Sequence, residues 1–137
     1  MASVLKFYEY KACTTCQKAA KFLKDNNIVF ERIAIVEHPP TVSELKQMLN
    51  HLKSQSKDQS KDQSKDQSKE LKSLFNVSGE QYRTLGMAER LKAGLTEAEA
   101  IKLLSQHGKL IKRPFLLGPD FGMVGFKAET WSKILQD

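Results

Sequence analysis

Cys13-Thr14-Thr15-Cys16-Gln17-Lys18-Ala19-Ala20-Lys21-Phe22-Leu23 follows closely on the short apolar run Val4-Leu5-Lys6-Phe7-Tyr8, and these two stretches decide the fold. Val4–Tyr8 is rich in β-favouring residues and reads as a buried strand. Lys11–Cys16 reads as a turn. Cys16, Ala19, Ala20 and Leu23 stand at i, i+3, i+4 and i+7, one face of a helix predicted over Thr15–Asn26. Asn26-Asn27 ends that helix, and Ile28–Val36 is a second β-rich segment. Strand, helix and strand in about thirty residues make a βαβ unit, expected to be right-handed with parallel strands.

Beyond this unit Pro39-Pro40 breaks the chain, and Thr41-Val42-Ser43-Glu44 has the pattern of a capping box. Val42, Leu45, Met48, Leu49 and Leu52 continue at helical spacing. Ser56–Gln67 is three copies of Ser-Lys-Asp-Gln, and no apolar residue occurs from Ser54 to Glu70. Such a stretch cannot cover a core. Its lysines balance its acids, so it reads as an expansion without chemistry of its own, either a disordered insertion or an exposed helix extension. Leu71–Phe75 resumes an apolar helix, Val77-Ser78-Gly79 is a turn, and Thr84–Lys92 reads as one helix with Gly94 beyond its end. Thr96-Glu97-Ala98-Glu99 is a second capping box, opening a helix to about Gln106. Phe115–Leu117 and Met123–Phe126 flank Gly118-Pro119-Asp120-Phe121-Gly122, a hairpin signal, and Glu129–Leu135 reads as a closing helix.

The order predicts one α/β domain, a βαβ…ββα sheet with a helical subdomain inserted between its halves. The sheet core is assigned to 1–38 and 109–137, and the helical subdomain to 39–108 with the low-complexity insert 54–70. At 137 residues with 40% hydrophobic content the chain can bury a core without disulfide or metal staples. The net charge of +6 comes mostly from dispersed lysines, which reads as a solvated surface rather than a nucleic-acid footprint. No window approaches the length of a membrane span, and no signal peptide is visible. Two cysteines three residues apart exclude a secreted disulfide framework, so a cytoplasmic monomer is expected.

Cys13-Thr14-Thr15-Cys16 is the strongest chemical signal. Backbone N–H groups at a helix start lack helical partners and, with the positive end of the macrodipole, favour a nearby anion. Such placement lowers a thiol's titration into roughly the 3.5–7.5 range, so Cys13 is expected as the reactive thiolate. Lys11 and Lys18 add favourable charge. Cys16, on the apolar face, is expected to be less exposed and to act as the resolving thiol. The alternatives are idle thiols or a zinc half-site. Structural zinc needs four ligands, and His38, His51 and His107 lack ligand spacing, so no metal is expected. Lys112-Arg113-Pro114 is the second signal: Arg113 is either an ordinary surface charge or an anion clamp. A proline at a strand start marks an edge or a special turn.

With these motifs in view the chain resembles the arsenate reductase ArsC / Spx / YffB family of thioredoxin-like proteins. The landmarks are Lys11–Cys16, Glu37-His38-Pro39-Pro40-Thr41, Phe75-Asn76-Val77-Ser78-Gly79, Tyr82-Arg83-Thr84-Leu85-Gly86, Leu110–Pro114 and Val124-Gly125-Phe126. The resemblance implies a catalytic Cys13, Arg113 beside it, and a cis Pro114 facing it. It implies substrate contacts from Lys11, Thr14, Thr15, Arg113 and Pro114. It also implies either of two functions. One is a thiol-dependent reductase with no bound cofactor, recycled by glutathione, glutaredoxin or thioredoxin. The other is an Spx-like redox regulator that binds the RNA polymerase α subunit. The arsenate pattern is incomplete, since no arginine occurs at Asn76–Ser78 or Gly118–Gly125, and Gln17 stands where a basic residue often follows the second cysteine.

Overall fold

The structure, a computed structural model, describes residues 5–55 and 69–135. The first strand, β1, is Leu5–Glu9; helix α1, Thr14–Asp25, follows, and then strand β2, Phe30–Ala34. The strands β3, Phe115–Leu117, and β4, Gly122–Val124, come late in the chain. They form one four-stranded sheet in the order β2-β1-β3-β4. β1 and β2 are parallel, as a βαβ unit requires, while β3 pairs antiparallel with β1 and with β4.

Side chains on successive strand residues point to opposite faces of a sheet. Leu5 and Phe7 on β1, with Leu116 on β3, therefore pack on one face with Ala19, Ala20 and Leu23 of α1 and Trp131 of the closing helix α7, Ala128–Leu135. Edge-to-face contacts join Trp131 to Phe126, Phe126 to Phe22, and Phe22 to Trp131 in this layer. Tyr8, Phe115 and Leu117 face the other way, into a larger core with Leu45, Met48 and Leu49 of α2, Val42–Gln55, and Ile101 and Leu104 of α6, Glu97–Gln106. Each such fully buried aliphatic side chain stabilises the fold by roughly 1.5–3 kcal/mol. The protein has the α/β fold expected, with helices on both faces of the sheet.

The capping signals perform as their patterns predict. Glu44 accepts from the Thr41 amide and Thr41 Oγ1 accepts from the Glu44 amide, while Thr96 and Glu99 repeat the arrangement. Glu44 also accepts from Lys6 Nζ and the Tyr8 hydroxyl, each at 2.7 Å, and so ties α2 to β1.

Two expectations are corrected. Thr84–Lys92 is not one helix: α4, Glu80–Thr84, ends at Leu85, and α5, Met87–Lys92, begins after Gly86. Gly86 adopts φ +61°, a left-handed conformation that interrupts helical hydrogen bonding. The helix α3, Lys69–Ser73, stops short of Phe75, which instead bridges Ile111 beside β3. A 3-10 helix, Gly108–Leu110, leads from α6 towards Pro114. A Cβ at Gly108 would fall on the Ile35 carbonyl, so only glycine lets this turn pack against the end of β2. The Ser-Lys-Asp-Gln copies lie outside the described residues.

Candidate active site

The site forms where the C-terminal end of β1 turns into α1. The Cys13 amide donates to Tyr10 O at 2.9 Å, closing a tight turn that places Cys13 as the N-cap of α1. Cys13 Sγ accepts from the Cys16 amide at 3.3 Å, so the sulfur does what a serine or aspartate oxygen does at other helix starts. It is half-buried, with the charge-favouring end of a twelve-residue helix directly behind it. Gln17 Nε2 donates to Lys11 O and braces the same turn. Lys11 and Thr14 are exposed, and Thr15 is half-buried.

Cys16 lies on the buried face with Ala19, Ala20 and Leu23, as its helical phase predicts. It has no exposed surface. Its thiol is pushed up to about 12, chiefly by burial and also by the nearby Cys13 sulfur, with the Tyr10 backbone and the Arg113 charge opposing. The two thiols are chemically unequal: one is a cap at the surface, the other a protonated thiol in the core.

Arg113 comes from the far end of the sequence, on the segment entering β3, and its charge reaches Cys16. Its guanidinium lies 4.9 Å from the centroid of the Tyr10 ring, stacked on the residue whose carbonyl anchors Cys13. The Arg113–Pro114 bond is cis, and Pro114 O accepts from the Gly125 amide at 2.8 Å. Buried Pro114 and half-buried Arg113 thus sit at the head of the β3–β4 hairpin.

Arg113 separates two clefts. The first, about 560 Å³, extends from Thr15 along Gly125 to α7 and has Lys112, Lys127 and Trp131 in its walls. The second, about 400 Å³, is lined by Tyr10, Arg113 and Lys109 together with Asn76, Gln81 and Thr84. Gln81 Oε1 is, among the described residues, a buried side-chain oxygen without a hydrogen-bond partner. Arg83 is exposed and lines neither cleft. Lys109, Tyr10 and Gln81 escape a sequence reading, because nothing in their local patterns differs from ordinary loop or helix residues. Among the described residues no group of His, Cys, Asp and Glu side chains could hold a metal, and no helix is long and apolar enough to cross a membrane.

A model of the ArsC family matches residues 8–134. A solved structure of an ArsC family related protein from Bacteroides fragilis is similar at TM-score 0.78 and 38% identity, covering 98% of this chain and 99% of that one. The uncharacterized protein YusI of Bacillus subtilis is 36% identical over 129 residues, 94% of this chain and 96% of its own length. The regulatory protein MgsR of the same organism is 29% identical over 126 residues, covering 92% of this chain and 86% of MgsR.

Proposed function

The chain belongs to the ArsC family of thioredoxin-like proteins, and from that premise we propose that it is a cytoplasmic thiol-dependent reductase with Cys13 as its nucleophile. The observation that carries the reading is the Cys13 sulfur capping α1 at the protein surface, with Arg113 stacked on the turn that holds it. In the proposed reaction the Cys13 thiolate bonds to one sulfur of an oxidised substrate. The substrate S–S bond breaks, and its electron pair leaves on the other sulfur, which takes a proton. Arg113 steadies the departing anion. An external thiol then attacks the mixed disulfide and frees the reduced substrate. A second thiol restores Cys13, so two external thiols are oxidised for each disulfide reduced. Glutathione, glutaredoxin or thioredoxin would supply them.

The burial of Cys16 favours the external thiol as the first resolving nucleophile, because a thiol held near 12 is almost wholly protonated at neutral pH. Cys16 would act only once the first turn of α1 opens, closing a Cys13–Cys16 disulfide that two external thiols reduce. Arsenate would be a weak substrate, since the anion would meet one guanidinium, Arg113, with Lys109 lining the same cleft.

A coupled assay with glutathione, glutaredoxin and an NADPH-regenerating system, offered a small disulfide or arsenate, tests this reading. Turnover should vanish in Cys13→Ser and persist in Cys16→Ser. Turnover that survives Cys13→Ser would refute the nucleophile. A second reading, a redox-responsive regulator, is favoured by the similarity to MgsR. It predicts no turnover and an oxidation-dependent capture of the RNA polymerase α subunit.

A further inference from the structure

The first cleft has a composition that the thiol chemistry alone does not require. Its apolar lining is half-buried Leu52, Val124, Phe126 and Ile134, with Met123 and Trp131 buried against the core. Three cations, Lys112, Arg113 and Lys127, line it, and among the described residues none that lines it bears a carboxylate. The cations are placed by the fold. Lys112 lies across Gly125, where a Cβ would meet Lys112 Cε at 2.9 Å and where φ is +71°. Lys127 immediately precedes α7, whose Trp131 donates to Gly125 O at 3.2 Å and so joins the apolar lining to the same glycine. Thr15, two residues beyond Cys13, and Arg113 both line the groove.

We propose that this groove is the substrate-docking surface of the reductase site and that it takes an acidic, partly apolar peptide segment carrying the oxidised cysteine. The proposal rests on the thiol-reductase reading and names its substrate class. Charge complementarity selects the acidic partner: three cations, with no carboxylate among the described residues that line the groove, raise the local concentration of anionic segments and repel basic ones. The apolar lining selects a bulky aliphatic or aromatic neighbour of the cysteine over a small thiol, which has no side chain to pack on it. At about 560 Å³ the groove has the capacity of an ordinary ligand pocket. The segment would lie between α7 and the β3–β4 hairpin with its sulfur beside Thr15, and Arg113 would then meet both the segment's charge and the reacting sulfurs.

Trp131, the sole tryptophan of the chain, borders the groove and packs edge-to-face on half-buried Phe126, so its emission reports occupancy without any thiol chemistry. The test titrates the full-length protein with three probes: an acidic peptide with leucine and phenylalanine flanking a serine in place of cysteine, the same peptide with lysines for its acids, and glutathione. The acidic peptide is expected to change Trp131 emission saturably and to bind at least tenfold tighter than either of the other two. Lys112→Glu combined with Lys127→Glu should weaken it at least tenfold, while the circular dichroism spectrum stays that of the wild type. Equal binding of the acidic and basic peptides, equal binding of glutathione, or wild-type affinity in the charge-reversed protein would each overturn the proposal. Because the peptides carry no sulfur, these outcomes stand apart from the Cys13→Ser turnover experiment, whose failure would strike the reductase reading instead.

Discussion

Serine is among the best residues at the start of a helix, so Cys13→Ser should keep the α1 cap while deleting the thiol. Its melting temperature should stay within a few degrees of wild type, and a thermal scan beside the turnover assay would show whether lost activity is chemical rather than structural. Arg113→Ala is expected to lower kcat/KM by about 10²-fold, the usual cost of removing one preorganised donor to a developing anion. Arg113→Lys should recover only part of it, because an ammonium does not stack on Tyr10 as a planar guanidinium does. Cys16 gives a pH signature. Its ordinary value of 9.0 is raised to about 12 in the folded chain, so between those values the unfolded state releases a proton that the folded state keeps. The contribution of Cys16 to stability is therefore whole below pH 9 and fades as pH rises towards 12. Denaturant titrations should show wild type losing stability more steeply than Cys16→Ala over that range. The unequal burial of the two cysteines is legible in sequence, because Cys16 falls in phase with Ala19, Ala20 and Leu23 and Cys13 does not. Lys109 and Gln81 are not legible, since only the tertiary fold brings them into one cleft with Tyr10.

At the level of the elements, Glu44 is the joint between the helical segment and the sheet. Burial raises its carboxyl, but the hydrogen bonds from Lys6, Thr41 and Tyr8 outweigh that and hold it below its ordinary value of 4.5. A carboxyl lowered in the folded state stabilises the protein above its unfolded value, and that contribution is lost as pH falls through the folded value. Glu44→Gln is expected to cost about 2 kcal/mol at neutral pH, the loss of charge-assisted hydrogen bonds. The gap from wild type should close as the solution is acidified below pH 4.5, which denaturant titrations at several pH values would reveal. The sequence makes this element readable, because the capping box at Thr41 marks where α2 starts. It does not reveal that the same glutamate reaches β1, a contact 36 to 38 residues away along the chain. Nor does it reveal the break between α4 and α5. Tyr82-Arg83-Thr84-Leu85-Gly86-Met87 has no proline, and a lone glycine within a helical pattern is tolerated often enough to be read through. Gly108 makes a parallel case: its need for close approach to Ile35 appears only when the 3-10 turn is packed. Gly108→Ala should therefore destabilise the fold by about 3 kcal/mol, measurable by the same titrations.

The whole molecule is a sheet covered on both faces, and its two cores divide the tasks. The smaller, around Trp131 and α1, supports the helix that carries Cys13; the larger, around α2 and α6, binds the helical segment to the opposite face. The αβ order and the βαβ start were readable because strand and helix periods alternate cleanly. The resemblance implies only that Arg113 lies beside Cys13; its stacking on Tyr10 is not legible in sequence, since it comes from tertiary packing over a hundred residues of chain. Removing two of the three Ser-Lys-Asp-Gln copies should change stability by less than about 1 kcal/mol, because the core residues on either side, Leu49 and Leu71, belong to elements that lie outside the copies. The account as a whole depends on which sulfur reacts, and that is directly measurable. Native protein is treated at pH 7 with limiting iodoacetamide, quenched, digested and read by mass spectrometry against free glutathione in the same tube. The expected result is alkylation of Cys13 alone, at a rate above that of glutathione, with Cys16 modified only after denaturation. Labelling of Cys16 first, or of Cys13 no faster than glutathione, would contradict the account.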